Sequence, residues 1–296
     1  MHIPVLLKEV IDSLSLQEGD VVVDGTLNRG GHSKEICELI GKSGTLIGID
    51  LDQGALDEAK KNLKNAKCKI ILEKDNFRNL DKVIAKVGIE KVNAILIDLG
   101  FSSDQMDDGG RGFSFGRDEK LLMTLKDNPT EDDLTAREIV NSWDEENIAD
   151  IIYGYGGETF SRHIASKIVE SRKEKSIETT QDLVSVIEKA VPSWYKHKKI
   201  HFATKTFQAL RITVNDEIGA LKEVLPKAIE ALEENGRLAV ISFHSIEDRV
   251  VKIFFKEQKE ASVGEIITKK PIAPQREEVK ANPRSRSAKL RIFEKK

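Results

Sequence analysis

Cysteine is nearly absent. Cys37 and Cys68 are the only two in 296 residues, and neither has a C-x-x-C partner or histidines at metal-ligand spacing. Neither a disulfide framework nor a structural zinc site is implied, and a reducing compartment is the natural setting. Long apolar runs are missing too. The first, Ile3 to Leu7, is followed at once by Lys8 and Glu9, too short for a signal-peptide core or a membrane span. A cytoplasmic chain with no membrane partner is expected. Internal repeats, low-complexity tracts and metal motifs are lacking as well. A last scarcity is local: Lys189 to Asn215 holds no Asp or Glu, while Lys189, Lys196, Lys198, Lys199, Lys205 and Arg211 alternate with Trp194, Tyr195, Phe202 and Phe207. The tail after Lys280 is similarly basic, although the net charge is −3. Such patches either bind phosphate backbones or are ordinary solvated helix faces.

What is present, 39% hydrophobic and 33% charged residues, suffices for one large or two modest domains with real cores. The first hundred residues alternate short apolar runs with amphipathic segments. Strands are expected at Val21 to Val23, Thr45 to Ile49, Lys69 to Leu72 and Ala94 to Ile97, the first, second and fourth ending in Asp24, Asp50 and Asp98. Helices between them carry Ile36 and Ile40, then Leu56 and Ala59, then Leu80 and Val83. This alternation predicts an α/β fold, a parallel sheet with helices on both faces, in which all three aspartates reach the ligand-binding edge. Residues 101 to 118 form a glycine-rich, charged loop, and the pattern from Thr130 to about Lys189 is helical, with start signals at Thr130 and Thr180. A helix from Ile218 to Leu232, a turn at Asn235-Gly236, and strands at Arg237 to Phe243 and Ala288 to Phe293 restore the α/β pattern. The expected organisation is one α/β domain, residues 1 to 106 plus 216 to 296, carrying a helical insertion, residues 107 to 215, between its fourth and fifth strands.

After the first strand the chain reads DGTLNRGGHS. A dinucleotide loop needs G-x-G-x-x-G and a P-loop needs a Lys-Ser/Thr pair, and both are missing. The glycines at 30 and 31 permit close backbone approach to a ligand, and Asp50 at the next strand end suits a ribose diol. A nucleoside cofactor without a pyrophosphate, S-adenosylmethionine, fits this set. The competing reading is a tight turn at the glycines with Asp50 capping the following helix.

Longer blocks carry a closer resemblance: HIPVLLKEV, DGTLNRGGHS, GIDLD, ILIDLGFSSDQMDD, RGFSF, HFATKTFQALRITVNDE, GRLAVISFHSIEDR and NPRSRSAKLR. They span nearly the whole chain, and through them it resembles the RsmH (MraW) family, which methylates the exocyclic N4 of a cytidine in the decoding region of small-subunit (16S) ribosomal RNA. The resemblance implies a class I S-adenosylmethionine-dependent methyltransferase fold, Rossmann-like and doubly wound, with an inserted helical domain that recognises substrate. It also implies cofactor-binding roles for Gly30, Gly31, His32, Asp50, Phe77, Asp98 and Gln105, and small-subunit RNA, in an assembled or assembling 30S particle, as partner.

The familiar Asp/Asn-Pro-Pro-aromatic clamp of amino-methyltransferases is replaced by Asp98-Leu99-Gly100-Phe101. Asp98 is the candidate catalytic residue, orienting the amino group, with Asp104, Asp107 and Asp108 as weaker candidates. Phe101, Phe113 and Phe115 are candidate walls for an unstacked base, Arg111, Lys205 and Arg211 candidate phosphate contacts, and His244 a candidate near the site. Two departures from the family pattern stand out. Asn28 replaces a glycine, at a place where asparagine tolerates a positive φ. Leu121-Leu122-Met123-Thr124-Leu125 replaces Leu-Asp-Met-Arg-Met, removing an acid and a base. They keep two alternatives open: a methyltransferase with another RNA, DNA or small-molecule acceptor, and a non-catalytic RNA-binding assembly factor.

Overall fold

The computed structural model describes residues 4–100, 110–126, 129–130 and 132–296. The chain divides into two compact units, residues 1–100 with 218–296, and residues 101–217.

The first unit begins with α1 (Leu7–Leu14) and β1 (Val21–Asp24), followed by α2 (Gly31–Ile40), β2 (Thr45–Asp50), α3 (Gln53–Asn62), β3 (Lys69–Lys74), α4 (Leu80–Lys86) and β4 (Val92–Asp98). Local chemistry sets several boundaries. Asp52 caps α3 by accepting from the Gly54 and Ala55 N–H groups, and Asn76 caps a short 3₁₀ turn at Phe77–Asn79.

In the second unit lie α5 (Ala136–Ser142), α6 (Glu145–Gly156), α7 (Ser161–Glu174), α8 (Thr180–Ala190), α9 (Ser193–Lys196) and α10 (Thr204–Asn215). Thr179 and Asp182 form a reciprocal capping box at α8. The start signal read at Thr130 does not open a helix. Its N–H and hydroxyl both donate to Asp133, closing a turn, and Thr135 instead caps α5. Helical periodicity here buries a core of its own, with Ile139, Ile152, Ile164, Ile168, Leu183 and Leu210 inaccessible to solvent.

Chain order then gives α11 (Glu217–Ala231), β5 (Leu232–Ser242), α12 (Ser245–Glu260), β6 (Gly264–Ile266), α13 (Arg276–Ala281) and β7 (Lys289–Lys295). The sheet order is β3-β2-β1-β4-β5-β7-β6. The first five strands in that order are mutually parallel, whereas β7 runs antiparallel to both β5 and β6. The four strands of the first hundred residues are parallel as expected, and β7 makes the whole sheet mixed. The chain reaches β7 by a return that places it between β5 and β6, and no local period encodes that route. Along the central strands, Val22, Leu46, Ala94 and Leu96 pack on one face, while Val23, Ile47, Ile95 and Ile97 pack on the other. β1 lies between β2 and β4, so the connections leave it in opposite directions. The crevice at such a switch point, outside the carboxyl ends of the strands, is where open α/β sheets bind ligands.

The cysteines are also corrected. Cys37 on α2 and Cys68 just before β3, 31 positions apart, are joined as a disulfide with Cα atoms 5.3 Å apart. Sequence spacing carries no sign of this pairing, because tertiary packing of α2 makes it.

Candidate active site

The switch-point crevice is built from the ends of β1, β2 and β4. Asp24, ending β1, is buried and accepts a 2.6 Å hydrogen bond from the Ser33 hydroxyl and one from the Thr26 N–H. It ties the β1 turn to α2. Thr26 in turn accepts the Asp98 N–H at 2.6 Å through its hydroxyl, which fixes the end of β4 against the same turn. Asp50, ending β2, accepts from the Asn28 N–H at 2.7 Å on one oxygen and from the Asp52 N–H at 2.9 Å on the other. Asn28 has φ 48° and donates from its side chain to the Thr26 carbonyl. The left-handed turn thus forms without a glycine.

Gly30 has φ 73° and precedes α2, which no side chain caps. Uncapped first-turn N–H groups suit an anionic ligand group. Yet the space that the glycines leave open is not empty. A Cβ on Gly31 would lie 2.5 Å from Pro4 Cγ, and one on Gly30 would lie 3.2 Å from Leu63. The side-chain positions of both glycines are taken up by the protein itself. Packing within the chain is thus a second demand for glycine at these positions. The segment over Gly31 is held at two more points: the Val5 carbonyl lies 2.9 Å from His32 Nε2, and the Leu6 N–H donates to Glu278 at 2.8 Å. The His32 ring is therefore committed to the N-terminal segment.

Burial raises all three strand-end carboxyls, Asp24 included, although the Ser33 hydroxyl and the Thr26 N–H oppose the rise there. Burial pushes Asp98 up to about 7, against the hydrogen bond from the Gly100 N–H, and repulsion from Glu247 adds to the rise. Burial likewise raises Asp50 to about 6, opposed by N–H donors from Asp52 and Asn28. Burial lowers His32. A neutral ring donating from Nε2 to Val5 presents an Nδ1 lone pair toward Asp98 Oδ2, 3.8 Å away. Such a histidine leaves the Asp98 charge uncompensated. A cationic ligand group beside Asp98 would stabilise its ionised form. The Asn28 and Asp52 N–H groups each take one Asp50 oxygen, the Leu51 N–H adds a lesser contact, and lone-pair capacity is left for a ribose hydroxyl. The half-buried Phe77 ring begins the 3₁₀ turn after β3, with its Cβ 3.6 Å from where a Gly25 Cβ would stand. A diol acceptor, an apolar ring and a desolvated carboxyl with no cationic partner among the described residues match a sulfonium nucleoside.

Gln105 and Phe101, like Asp104, Asp107 and Asp108, lie outside the described residues. The remaining substrate candidates are mostly occupied by their own chain. Phe113 is buried in the helical core rather than forming a base wall, because the Arg111 guanidinium and the surrounding helices cover it. Arg211 is bound in two hydrogen bonds, 2.9 and 3.0 Å, to Glu217 and is not a free phosphate contact. Arg111 donates to the Leu125 carbonyl, and Lys205 to the Gly157 carbonyl at 2.8 Å. Phe115 is half-buried and stacks on His201 at 4.5 Å. His244 caps α12, its Nδ1 accepting from the Glu247 N–H. Thr124 is buried, and Leu122 lines an open cavity of about 520 Å³ shared with Arg137, Asn141 and Glu178. No cofactor candidate lines that cavity.

Sequence reasoning missed Thr26, Ser33, Phe243 and Glu247. Phe243 ring atoms lie 2.9 Å from where a Gly100 Cβ would stand, so this ring covers the exit of β4. Glu247 is buried and accepts from the Phe243 and His244 N–H groups. The S-x-x-E-like spacing of His244 and Glu247 was the available signal.

Fold, switch-point crevice and paired acids define a class I methyltransferase. The chain belongs to the MraW methylase family, whose model matches residues 1–296. It is 45% identical over 310 residues to a protein of Clostridium botulinum (strain Kyoto / Type A2) named ribosomal RNA small subunit methyltransferase H, covering 99% of this chain and 98% of that one. A protein of the same name from Sulfurihydrogenibium sp. is 48% identical over 291 residues, covering 98% of both. Among solved structures, an rRNA methylase from Streptococcus thermophilus is similar at TM-score 0.46 and 13% identity, covering 100% of this chain and 99% of that one.

Proposed function

We propose that this rRNA methyltransferase transfers a methyl group from S-adenosylmethionine to the exocyclic N4 of a cytidine in the decoding region of 16S ribosomal RNA, acting in the cytoplasm on an assembled or assembling small subunit. The observation that carries the reading is the buried Asp98 carboxyl at the switch point, on the other side of β1 from Asp50 at the same sheet edge. When bound, S-adenosylmethionine supplies a methyl group already activated by its sulfonium. Asp50 accepts from the ribose hydroxyls, the α2 amides meet the carboxylate, and Phe77 flanks the adenine, with Gln105, Gly30, Gly31 and His32 completing the set. Residues 1–106 and 216–296 act as the methyltransferase domain, and residues 107–215 as the substrate-recognising insertion.

A cytosine amino lone pair is delocalised into its ring, so it must be turned out of conjugation by acceptors on its two protons. In this reading Asp98, once ionised, and the backbone carbonyls after it accept those two protons at the end of β4. The amino proton becomes acidic only after methylation, so no strong base is required, and alignment supplies most of the rate. The test is methyl incorporation into small subunits lacking the modification, with the modified nucleotide mapped by mass spectrometry. Methylated N4 of one decoding-region cytidine is expected. Methyl transfer to another atom, or none at all with cofactor bound, overturns the assignment.

A further inference from the structure

Within the second unit, Trp194 is 60% exposed, unusual for so large an apolar ring. It is nevertheless firmly held. Tyr195 and Phe160 meet it edge-on, at centroid distances of 5.7 and 6.0 Å and interplanar angles of 85° and 62°. Those two rings are fixed by one buried carboxylate: Glu158 accepts the Tyr195 hydroxyl at 2.5 Å and the Phe160 N–H at 2.9 Å. The Lys198 ammonium lies 4.9 Å from the Trp194 ring and 4.6 Å from the Tyr195 ring.

The surroundings are basic. The 27 residues from Lys189 to Asn215 contain no acid. Three of their cations are committed: Lys196 pairs with Glu188, Arg211 with Glu217, and Lys205 bonds a carbonyl. Lys189 and Lys199 lie on the exposed surface with His197, as does Lys198, whose ammonium rests over the two rings. A rigid aromatic ring presented edge-supported among lysines is the arrangement that stacks a nucleobase while its phosphates meet ammonium groups.

We propose that Trp194 is a stacking platform for an unpaired base of the ribosomal RNA substrate, with Lys198 and Lys199 holding the adjacent phosphates. The proposal rests on the rRNA reading above and assigns a docking point within the second unit. Stacking on an aromatic ring is sequence-tolerant, so the platform contributes affinity rather than choice of the methylated base.

The 296 residues include two tryptophans, so a Trp143→Phe background makes Trp194 the sole indole reporter. Adding a short oligocytidylate is expected to quench its fluorescence, less so at high salt. With unmodified small subunits, Trp194→Ala is expected to raise KM roughly tenfold, consistent with one lost base stack, with kcat and S-adenosylmethionine affinity unchanged. Trp194→Phe recovers part of the loss, and Lys199→Glu raises KM in the same direction. An unchanged KM in Trp194→Ala without oligonucleotide quenching overturns the proposal, as does an unchanged KM accompanied by loss of self-association, which would make the surface an interface between copies. If the wild-type chain methylates no subunit, the function assignment fails, and the quenching experiment still decides the platform.

Discussion

At position 28 a φ of 48° puts an asparagine where most residues pay a steric penalty. Its side chain bonds the Thr26 carbonyl and its N–H anchors Asp50. Asn28→Gly removes only the former bond and relaxes the backbone, so cofactor affinity is expected to stay within about threefold by calorimetry. Gly30→Val is a different matter. At φ 73°, with Leu63 3.2 Å from the new Cβ, the β-branched side chain faces both backbone strain and crowding, and at least about a tenfold loss of affinity is expected. An unaltered dissociation constant in the valine variant contradicts the site. Asp98 gives a pH-dependent outcome. Its folded pKa, about 7, lies above the ordinary aspartate value of 3.8, so between those values the folded chain holds a proton that the unfolded chain releases. The stability associated with neutral Asp98 is fully present below about pH 4 and is lost as pH rises toward 7. Asp98→Asn, measured without cofactor, is expected to raise stability at pH 8 by about 1–3 kcal/mol, to change it little at pH 4, and to weaken cofactor binding. Equal effects at both pH values refute the buried-charge account. Asp24, Asp50 and Asp98 were legible as strand-end acids, but their different duties were not, because hydrogen bonding by Ser33 and Thr26 decides them.

Elements show the same division. The periods of β1 to β4 and their helices emerge from sequence because each element buries apolar residues at its own spacing. The three-residue β6 and the antiparallel seat of β7 do not, since their partners lie far along the chain. Nor does the purpose of Gly31 emerge. It reads as a ligand-approach glycine, yet Pro4 fills the place of its side chain. The N-terminal segment, His32 and α13 form one latch over α2 through Val5, Leu6 and Glu278. Glu278→Ala removes the acceptor of the Leu6 N–H and is expected to cost about 1 kcal/mol in denaturant unfolding. Faster proteolysis within residues 4–10 is expected alongside it. Wild-type resistance there, with unchanged stability, rules the latch out.

At the scale of the molecule, each unit buries its own apolar core. Ile139, Ile164 and Leu210 belong to one, while Leu46, Leu96, Ile95 and Val240 belong to the two faces of the sheet. Every described cofactor candidate, from Gly30 to Asp98, lies in the sheet-containing unit. A ligand that binds only the folded form of that unit stabilises it by mass action, by about 2.7 kcal/mol at a concentration one hundred times Kd. In the helical unit only Gln105 is a cofactor candidate, so the direct term there is smaller. S-adenosylmethionine is therefore expected to raise amide protection chiefly in residues 24–32, at the ends of β2 and β4, and across the central strands. Protection in the core of α6 to α8 is expected to change far less. In calorimetry the cofactor should separate two unfolding transitions, moving one upward and leaving the other near its original temperature, a departure from two-state behaviour that independent cores permit. Uniform protection across both units, with a single transition shifted as a whole, would mean that the two cores unfold cooperatively.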